Sequence, residues 1–261
     1  MELAHTRGIL TAASLMMGGA AVDDAVVRAR RLPSLRVGLH LVLVDGPPLL
    51  PPERIPDLVN AQGRLRSDLA MVGLAAFIRP SVRKQFAAEI EAQFRAYRAT
   101  GLTLDHVNTH HHFHLHPTIC RQMLDIGKRY GISRVRVPWE PSHLLARIDV
   151  GGRYRRKWLA APWTALLRRR VRRHGLTASD RVFGLSWSGA MTEQRIAGIL
   201  RHLPDGITEI YSHPATTDNF AGAASGYRYR DELAALTASG IKELVQATGA
   251  QAGRFLNFAA P

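Results

Sequence analysis

The chain has 261 residues, 46% of them hydrophobic, which is enough to bury the core of one large α/β domain or two small ones. Its formal net charge is +14, and an excess of this size predicts an acidic partner, either nucleic acid or an anionic membrane surface. The single cysteine excludes an intramolecular disulfide and a cysteine-based zinc knuckle, and no apolar run is long enough for a transmembrane helix.

Strand and helix patterns alternate along the first half of the chain. In order, they predict a helix end at 1–7, a strand at 9–17, a helix at 22–31, a strand at 35–44, a proline-rich loop at 46–56, helical structure over 67–99, a strand at 102–107 and a helix at 118–130. The strand at 35–44 is almost wholly apolar and contains His40. A continuous apolar run of this kind is typical of a buried strand in a parallel sheet.

The second half continues the alternation with shorter elements. They are a strand at 135–137, a basic helical region at about 153–174, a strand at 182–185, a helix at 192–203, a strand at 208–212 and helices at 231–236 and 242–248. Strands that alternate with helices predict βαβ units and a parallel sheet. At this length we favour a (β/α) barrel over a doubly wound open sheet, because no Gly-rich dinucleotide fingerprint is present.

A histidine-rich stretch follows the strand at 102–107. Residues 105–117, Asp-His-Val-Asn-Thr-His-His-His-Phe-His-Leu-His-Pro, contain six of the chain's twelve histidines. Neutral imidazole binds zinc and similar metals, and it exchanges protons near neutral pH. If the stretch is extended, side chains alternate between its faces, and His111 points away from the other five histidines. The five that share a face are His106, His110, His112, His114 and His116. The stretch is internal and interleaved with apolar residues, which favours a metal site over a polar loop.

Other polar residues lie in or after the remaining predicted strands. His40 lies within one, Arg136 and Glu140 follow another, and His213 follows a third. In a parallel barrel these positions meet at the C-terminal face, which predicts a metal-assisted active site there, with Asp105 orienting an imidazole. Open alternatives are a core role for His40, a capping role for His213, a surface ion pair of Arg136 with Glu140 and a plain strand-end position for Asp105. Serine or cysteine nucleophiles are disfavoured, because the chain has no Gly-x-Ser-x-Gly elbow.

Several segments together resemble the YdjC-like (ChbG-type) carbohydrate deacetylases across essentially the whole chain. They are Gly-Ile-Leu-Thr-Ala-Ala-Ser-Leu-Met at 8–16, Val-Gly-Leu-His-Leu at 37–41, the histidines and Pro at 110–117, and Val-Arg-Val-Pro-Trp-Glu at 135–140. The segments at 184–192 and 209–215 resemble the hopanoid-biosynthesis branch, HpnK. The resemblance implies a single domain over 1–261 with a distorted TIM-like (β/α) barrel, and removal of acetyl groups from N-acetylated amino sugars.

The resemblance also implies the site. A divalent metal, Mg²⁺ or Zn²⁺, is held by an aspartate and two histidines, and the histidines map to His40 and His110. His213 maps to the late histidine expected as general acid. Asn108 stands where many members of the family have aspartate. Residues expected to line the substrate or support the ligands are His112, His114, Arg136, Glu140 and Asp105.

The N-terminus departs from the family pattern. The family opens with a strand that carries an Asp-Asp-Phe-Gly segment, whereas Met1 falls inside the helix that follows this strand. We therefore expect a barrel that lacks its first strand and a site that lacks its metal aspartate, with weak or absent activity. Asp23 and Asp24 do not replace it, because they come after the next strand.

A basic insertion at about 150–176 indicates which partners the chain binds. Tryptophans and leucines lie among its arginines, which is typical of a helix on an anionic membrane. The resemblance implies an N-acetylglucosaminyl hopanoid as substrate and a cytoplasmic enzyme that is peripheral at the inner membrane; a homodimer is left open. The alternatives are a non-catalytic glycolipid-binding module and a nucleic-acid-binding protein. We expect no nucleic acid, because no known nucleic-acid-binding pattern accompanies the arginines.

Overall fold

The computed structural model describes residues 1–152 and 161–253, which divide into two compact units. The histidine unit contains residues 12–136 and 162–178. The C-terminal unit contains residues 1–11, 137–152, 161 and 179–253. Part of the predicted basic insertion, residues 153–160, lies outside the described residues, and the assignment of one domain to the whole chain stays a prediction.

The helices follow the predicted segments, except that one segment is split in two and α6 was not predicted. They are α1 Glu2–Thr6, α2 Val22–Arg31, α3 Leu69–Ile78, α4 Pro80–Ala99, α5 Pro117–Lys128, α6 Ser142–Ile148, α7 Ala161–Arg173, α8 Glu193–Arg201, α9 Tyr229–Thr237 and α10 Ser239–Ala247. The segment predicted as helical over 67–99 forms α3 and α4. Pro80 occupies the first turn of α4, where its missing N–H costs nothing, and Asp68 caps α3 by accepting a bond from the Met71 N–H.

A parallel sheet of three strands organises the histidine unit. The strands are β1 Ala12–Leu15, β2 Arg36–Leu41 and β3 Leu104–Thr109, in the order β1-β2-β3. The register pairs Ser14 with Gly38 and His40 with Asn108. Gly38 is required at its position, because a Cβ there would lie 2.5 Å from the His106 ring. The sheet therefore brings polar side chains from all three strands together.

Buried side chains of α4 determine where β2 ends. The strand was predicted to reach residue 44, but it stops at Leu41. Gln93 on α4 accepts a bond from the Val42 N–H at 2.9 Å and donates to the Val42 carbonyl at 2.6 Å. Because the Gln93 side chain bonds both the N–H and the carbonyl of Val42, these backbone groups need no partner from a neighbouring strand. Phe86, Ile90 and Phe94 also lie on the buried face of α4.

The C-terminal unit has its own sheet and core. Strands β4 Arg181–Phe183 and β5 Thr208–Ile210 pair in parallel. Helices α6, α8, α9 and α10 enclose a core that includes Phe183, Trp187 and Ile196. Ala4 of α1 also belongs to this core.

The predicted α/β class with parallel sheets is observed, whereas the predicted closed barrel is not confirmed. Over residues 1–152 and 161–253 the strands form one sheet of three and one of two, with no closed ring. The strand predicted at 135–137 contributes only a parallel bridge from Val135 to Val107. Pro138 follows at once and has no N–H to extend a ladder.

Candidate metal centre and polar sites

The histidine stretch leaves β3 as a tight turn. His110–Leu115 forms a 3₁₀ turn in which His111 and His112 have φ of 51° and 53°. The extended alternation considered above is therefore wrong, and the rings of His110 and His111 lie 4.1 Å apart between centroids. Asp45 also has a positive φ of 51°, and among the described non-glycine residues these three alone do. Backbone strain of this kind clusters at functional sites.

His114 holds the turn in place. Its Nδ1 accepts a bond from the Thr109 hydroxyl at 2.6 Å, and its Nε2 donates to the Arg136 carbonyl at 2.8 Å. The Thr109 oxygen in turn accepts from the His114 backbone N–H at 3.1 Å. Burial lowers the pKa of His114 to about 4. A neutral ring with both nitrogens engaged anchors the turn to the end of β3.

A buried hydrogen-bond network surrounds the other predicted ligand, His40. The Asn108 carboxamide oxygen accepts from both terminal nitrogens of Arg136 at 3.2 Å and from the Ser14 hydroxyl at 3.0 Å. This orientation is favoured because the opposite one would place the amide NH₂ against the guanidinium. The Asn108 NH₂ then donates to His40 Nδ1 at 2.6 Å. Arg136 thus acts at this site through Asn108.

Asp105 and His106 extend the network. Asp105 Oδ2 lies 3.0 Å from His106 Nδ1, and His106 Nε2 lies 2.8 Å from the Ser14 oxygen. Asp105 therefore contacts the imidazole of His106, and its role beside a metal ligand stays a prediction. From the sequence, His106 was named only as a member of the histidine stretch, and Ser14 was not singled out. The available signal was their alternation with Asn108 along paired strands, which places them on one face.

A group of three ligand atoms lies at the end of β3. Among residues 1–152 and 161–253, Asp45, His110 and His111 alone offer three such atoms within 4.8 Å of one another. His40 is outside this group, although its ring lies edge-on to that of His110 with centroids 5.7 Å apart. Asp45 was not predicted as a ligand. The sequence feature that could have indicated it is an aspartate, followed by glycine, directly after the predicted strand at 35–44.

The donors of this group fit a divalent metal. Burial and the neighbouring His111, opposed by Asp45, together lower the pKa of His110 to about 4. The His110 ring is therefore neutral at pH 7 and can offer a lone pair. His111 Nε2 donates to Asp45 Oδ2 at 3.0 Å, a contact that a cation would replace. Two imidazoles and a carboxylate form a donor set that suits zinc-type metals.

Glu140, in the C-terminal unit, binds a loop. Its carboxylate accepts from the N–H groups of Gly184, Leu185 and Ser186, each at 2.9 Å, and from the Ser186 hydroxyl at 2.7 Å. Gly184 has φ of 110°, and a Cβ there would lie 2.3 Å from the Tyr211 carbonyl oxygen. Glu140 thus fixes the loop after β4, and the ion pair with Arg136 stays an open alternative.

His213 lies among aromatic rings after β5. Its centroid is 5.5 Å from that of Tyr211 and 5.2 Å from that of Tyr227. Its backbone N–H donates to the buried carboxylate of Glu232, which also accepts from the Met191 N–H at 2.9 Å. Burial raises the pKa of Glu232, and these N–H donors oppose the shift. Glu232 was missed because a lone glutamate in an amphipathic helix reads as a surface residue.

Known proteins resemble the chain over most of its length. A carbohydrate deacetylase of Brevibacillus brevis is 30% identical over 245 residues, which cover 93% of this chain and 86% of the relative. A human carbohydrate deacetylase is 30% identical over 81% of this chain and 68% of its own. One from Vibrio vulnificus is 28% identical over 92% of this chain and 81% of its own.

A solved structure shares the fold. It is a candidate cellobiose-phosphate cleavage protein of Enterococcus faecalis, with a TM-score of 0.75, 21% identity and coverage of 99% of this chain and 92% of that chain. At this identity the likeness concerns the fold alone. The family described as YdjC-like protein matches residues 1–247, nearly the whole chain. The chain therefore belongs to the YdjC-like protein family.

Proposed function

We propose that this chain is a hydrolase that removes the acetyl group from an N-acetylated amino sugar. The observation that carries the proposal is the ligand group centred on His110, because a neutral, partly buried imidazole beside a second imidazole and a carboxylate suits metal-assisted hydrolysis. The relatives from Brevibacillus brevis, Vibrio vulnificus and humans support the same reaction, since each is described as a carbohydrate deacetylase.

Two ligand sets are proposed for the cation, and they share His110. The first is His40 with His110, the pair to which the family resemblance assigns the metal. The second is Asp45, His110 and His111, whose ligand atoms lie together. Both sets are rich in imidazole nitrogen, which suits Zn²⁺ better than Mg²⁺, a cation that prefers oxygen ligands.

A bound cation would supply Lewis-acid polarisation of the acetamide carbonyl. His213 is proposed as the general acid that protonates the leaving amine, a role that contributes about 10²–10⁴-fold to a rate. Its aromatic neighbours and the bond from its backbone to Glu232 would limit the positions of the imidazole. Roles in lining the substrate or supporting the ligands stay predictions for His112, His114, Arg136, Glu140 and Asp105.

The substrate is proposed to be carried on a lipid. The segments at 184–192 and 209–215 support a place in the HpnK branch and an N-acetylglucosaminyl hopanoid as substrate. Such an enzyme would work in the cytoplasm, peripheral at the inner membrane. Acetate release from this glycolipid, compared with release from a soluble N-acetylglucosamine oligomer, tests the assignment; faster release from the soluble oligomer would contradict it.

The two ligand sets are separated by variants. We expect His110→Ala to abolish Zn²⁺ binding in calorimetric titration, because both sets need this imidazole. His40→Ala weakens binding only if the first set holds the metal, and His111→Ala or Asp45→Asn only if the second does. His174→Ala, at an exposed histidine on the same unit, is the matched control. A wild-type chain that binds no divalent metal and releases no acetate would contradict the proposed function.

Two other functions are tested by the same preparation. A non-catalytic glycolipid-binding module would bind the substrate without releasing acetate. A nucleic-acid-binding protein would bind DNA or RNA at physiological salt with an affinity that falls steeply as salt rises.

A further inference from the structure

Helix α3 presents its large apolar side chains to solvent. Its ten residues, Leu-Ala-Met-Val-Gly-Leu-Ala-Ala-Phe-Ile, include no charged or polar side chain. The buried positions are the small or medium residues Val72, Gly73 and Ala76. Five larger residues are exposed by between 36% and 65%: Leu69, Met71, Leu74, Phe77 and Ile78. A surface helix normally turns such residues inward, and an exposed apolar face of this kind is typical of a surface that binds an apolar or interfacial partner.

The charges around α3 identify the partner. Residues 64–84 contain five basic side chains, at positions 64, 66, 79, 83 and 84, and one acidic side chain, Asp68, which caps the helix. One of the five, Arg79, forms an ion pair with Asp57 at 2.7 Å, so the excess of positive charge comes from the other four. A second copy of the chain would bring another net charge of +14 towards the same basic surroundings, which opposes self-association. An apolar helix face within a basic border is complementary to an anionic lipid surface.

The length of α3 limits how it can engage a bilayer. Ten residues of helix are about 15 Å long, whereas the hydrocarbon core is about 30 Å thick. In the described part of the chain, no helix has the length and hydropathy to cross a membrane. Any membrane contact of α3 is therefore in the plane of the interface.

We propose that α3 docks the chain on an anionic phospholipid membrane, with Leu69, Met71, Leu74, Phe77 and Ile78 at the boundary between headgroups and acyl chains. The docked helix would hold the histidine stretch near the lipid, because the Phe77 ring lies 4.1 Å from the His116 ring. The inference deepens the proposed function by placing membrane contact on α3 as well as on the basic insertion. Membrane docking by α3 can be tested apart from the proposed reaction, because lipid binding is measured without acetate release.

The test places a fluorophore on α3. The one native cysteine, Cys120, is buried, so Leu74→Cys adds a single accessible thiol for a polarity-sensitive dye. We expect blue-shifted emission when the full chain is mixed with vesicles of phosphatidylcholine and phosphatidylglycerol, and no shift with phosphatidylcholine alone. Val27→Cys, at an exposed apolar position on α2, is the matched control and should show no shift.

A second pair of variants measures affinity. Leu74→Asp should lower the fraction that co-sediments with the mixed vesicles about tenfold, because a charge would enter the apolar face. Val27→Asp should leave it unchanged, and circular dichroism should show both variants folded. Equal co-sedimentation of Leu74→Asp and wild type would overturn the proposal. So would a wild-type dimer that Leu74→Asp dissociates, because the face would then be covered by a second copy.

Discussion

The orientation of one amide, that of Asn108, decides which nitrogen of His40 carries a proton. With its oxygen bonded to Arg136, Asn108 donates to His40 Nδ1, and the neutral ring then carries its proton on Nε2. A metal bound through Nε2 needs the opposite tautomer, with Nδ1 donating to an acceptor at residue 108. Asn108 can supply this acceptor only by turning its oxygen away from Arg136.

The variant Asn108→Asp removes this conflict. A carboxylate accepts from His40, Ser14 and Arg136 at the same time, so His40 Nε2 keeps its lone pair. We expect the affinity for Zn²⁺ to rise about tenfold in calorimetric titration, within the range typical of residues that orient a ligand. The ¹⁵N shifts of the His40 ring should report the change of tautomer.

Asn60→Asp adds the same charge at an exposed position of the same unit and should leave the affinity unchanged. If Asn108→Asp changes the tautomer without tightening metal binding, His40 is not a ligand. The set of Asp45, His110 and His111 would then be favoured.

At the scale of elements, buried polar side chains decide where strands and loops end. Gln93 ends β2 by satisfying the peptide of Val42, and Glu140 gathers the loop after β4. Neither role follows from hydrophobic periodicity, because the donor and the acceptor are about 45 residues apart or more. The break between α3 and α4 is local, and Pro80 would have predicted it.

The loop held by Glu140 gives a stability prediction. Glu140→Gln replaces one carboxylate oxygen by an NH₂ that faces N–H or O–H donors. We expect the free energy of unfolding to fall by about 3 kcal/mol in urea denaturation, because bonds to a charged acceptor are lost and buried donors are left unpaired. Hydrogen exchange of the amides of residues 184–186 should accelerate. Glu243→Gln, at an exposed glutamate on α10, should change neither, and an equally stable Glu140→Gln would contradict the role.

At the scale of the whole molecule, buried neutral histidines predict sensitivity to acid. The pKa of His114 is about 4 in the folded chain against an ordinary 6.5. Below pH 6.5 the unfolded chain therefore takes up a proton that the folded chain does not. Stability is lost as the pH falls from 6.5 towards 4, by about 3 kcal/mol for this histidine.

Urea unfolding at a series of pH values measures this loss. His114→Gln should be less stable than wild type at pH 7 but should lose less stability on acidification, since the titrating ring is gone. His174→Gln, at an exposed histidine, should keep the wild-type pH dependence. An unchanged slope in His114→Gln would show that acid acts through other groups.

The sequence by itself determined the α/β class, the order of the elements, the family and the histidine stretch, because hydrophobic periodicity and short motifs are local properties of the chain. Only the tertiary structure decided that the stretch turns at His111 and His112, that Asp45 joins His110, and that Asn108 connects His40 to Arg136. It also decided that the apolar residues of α3 face solvent. These features depend on contacts between residues that are distant in sequence and on which face of a helix packs against the rest of the fold. A local sequence pattern encodes neither of these properties.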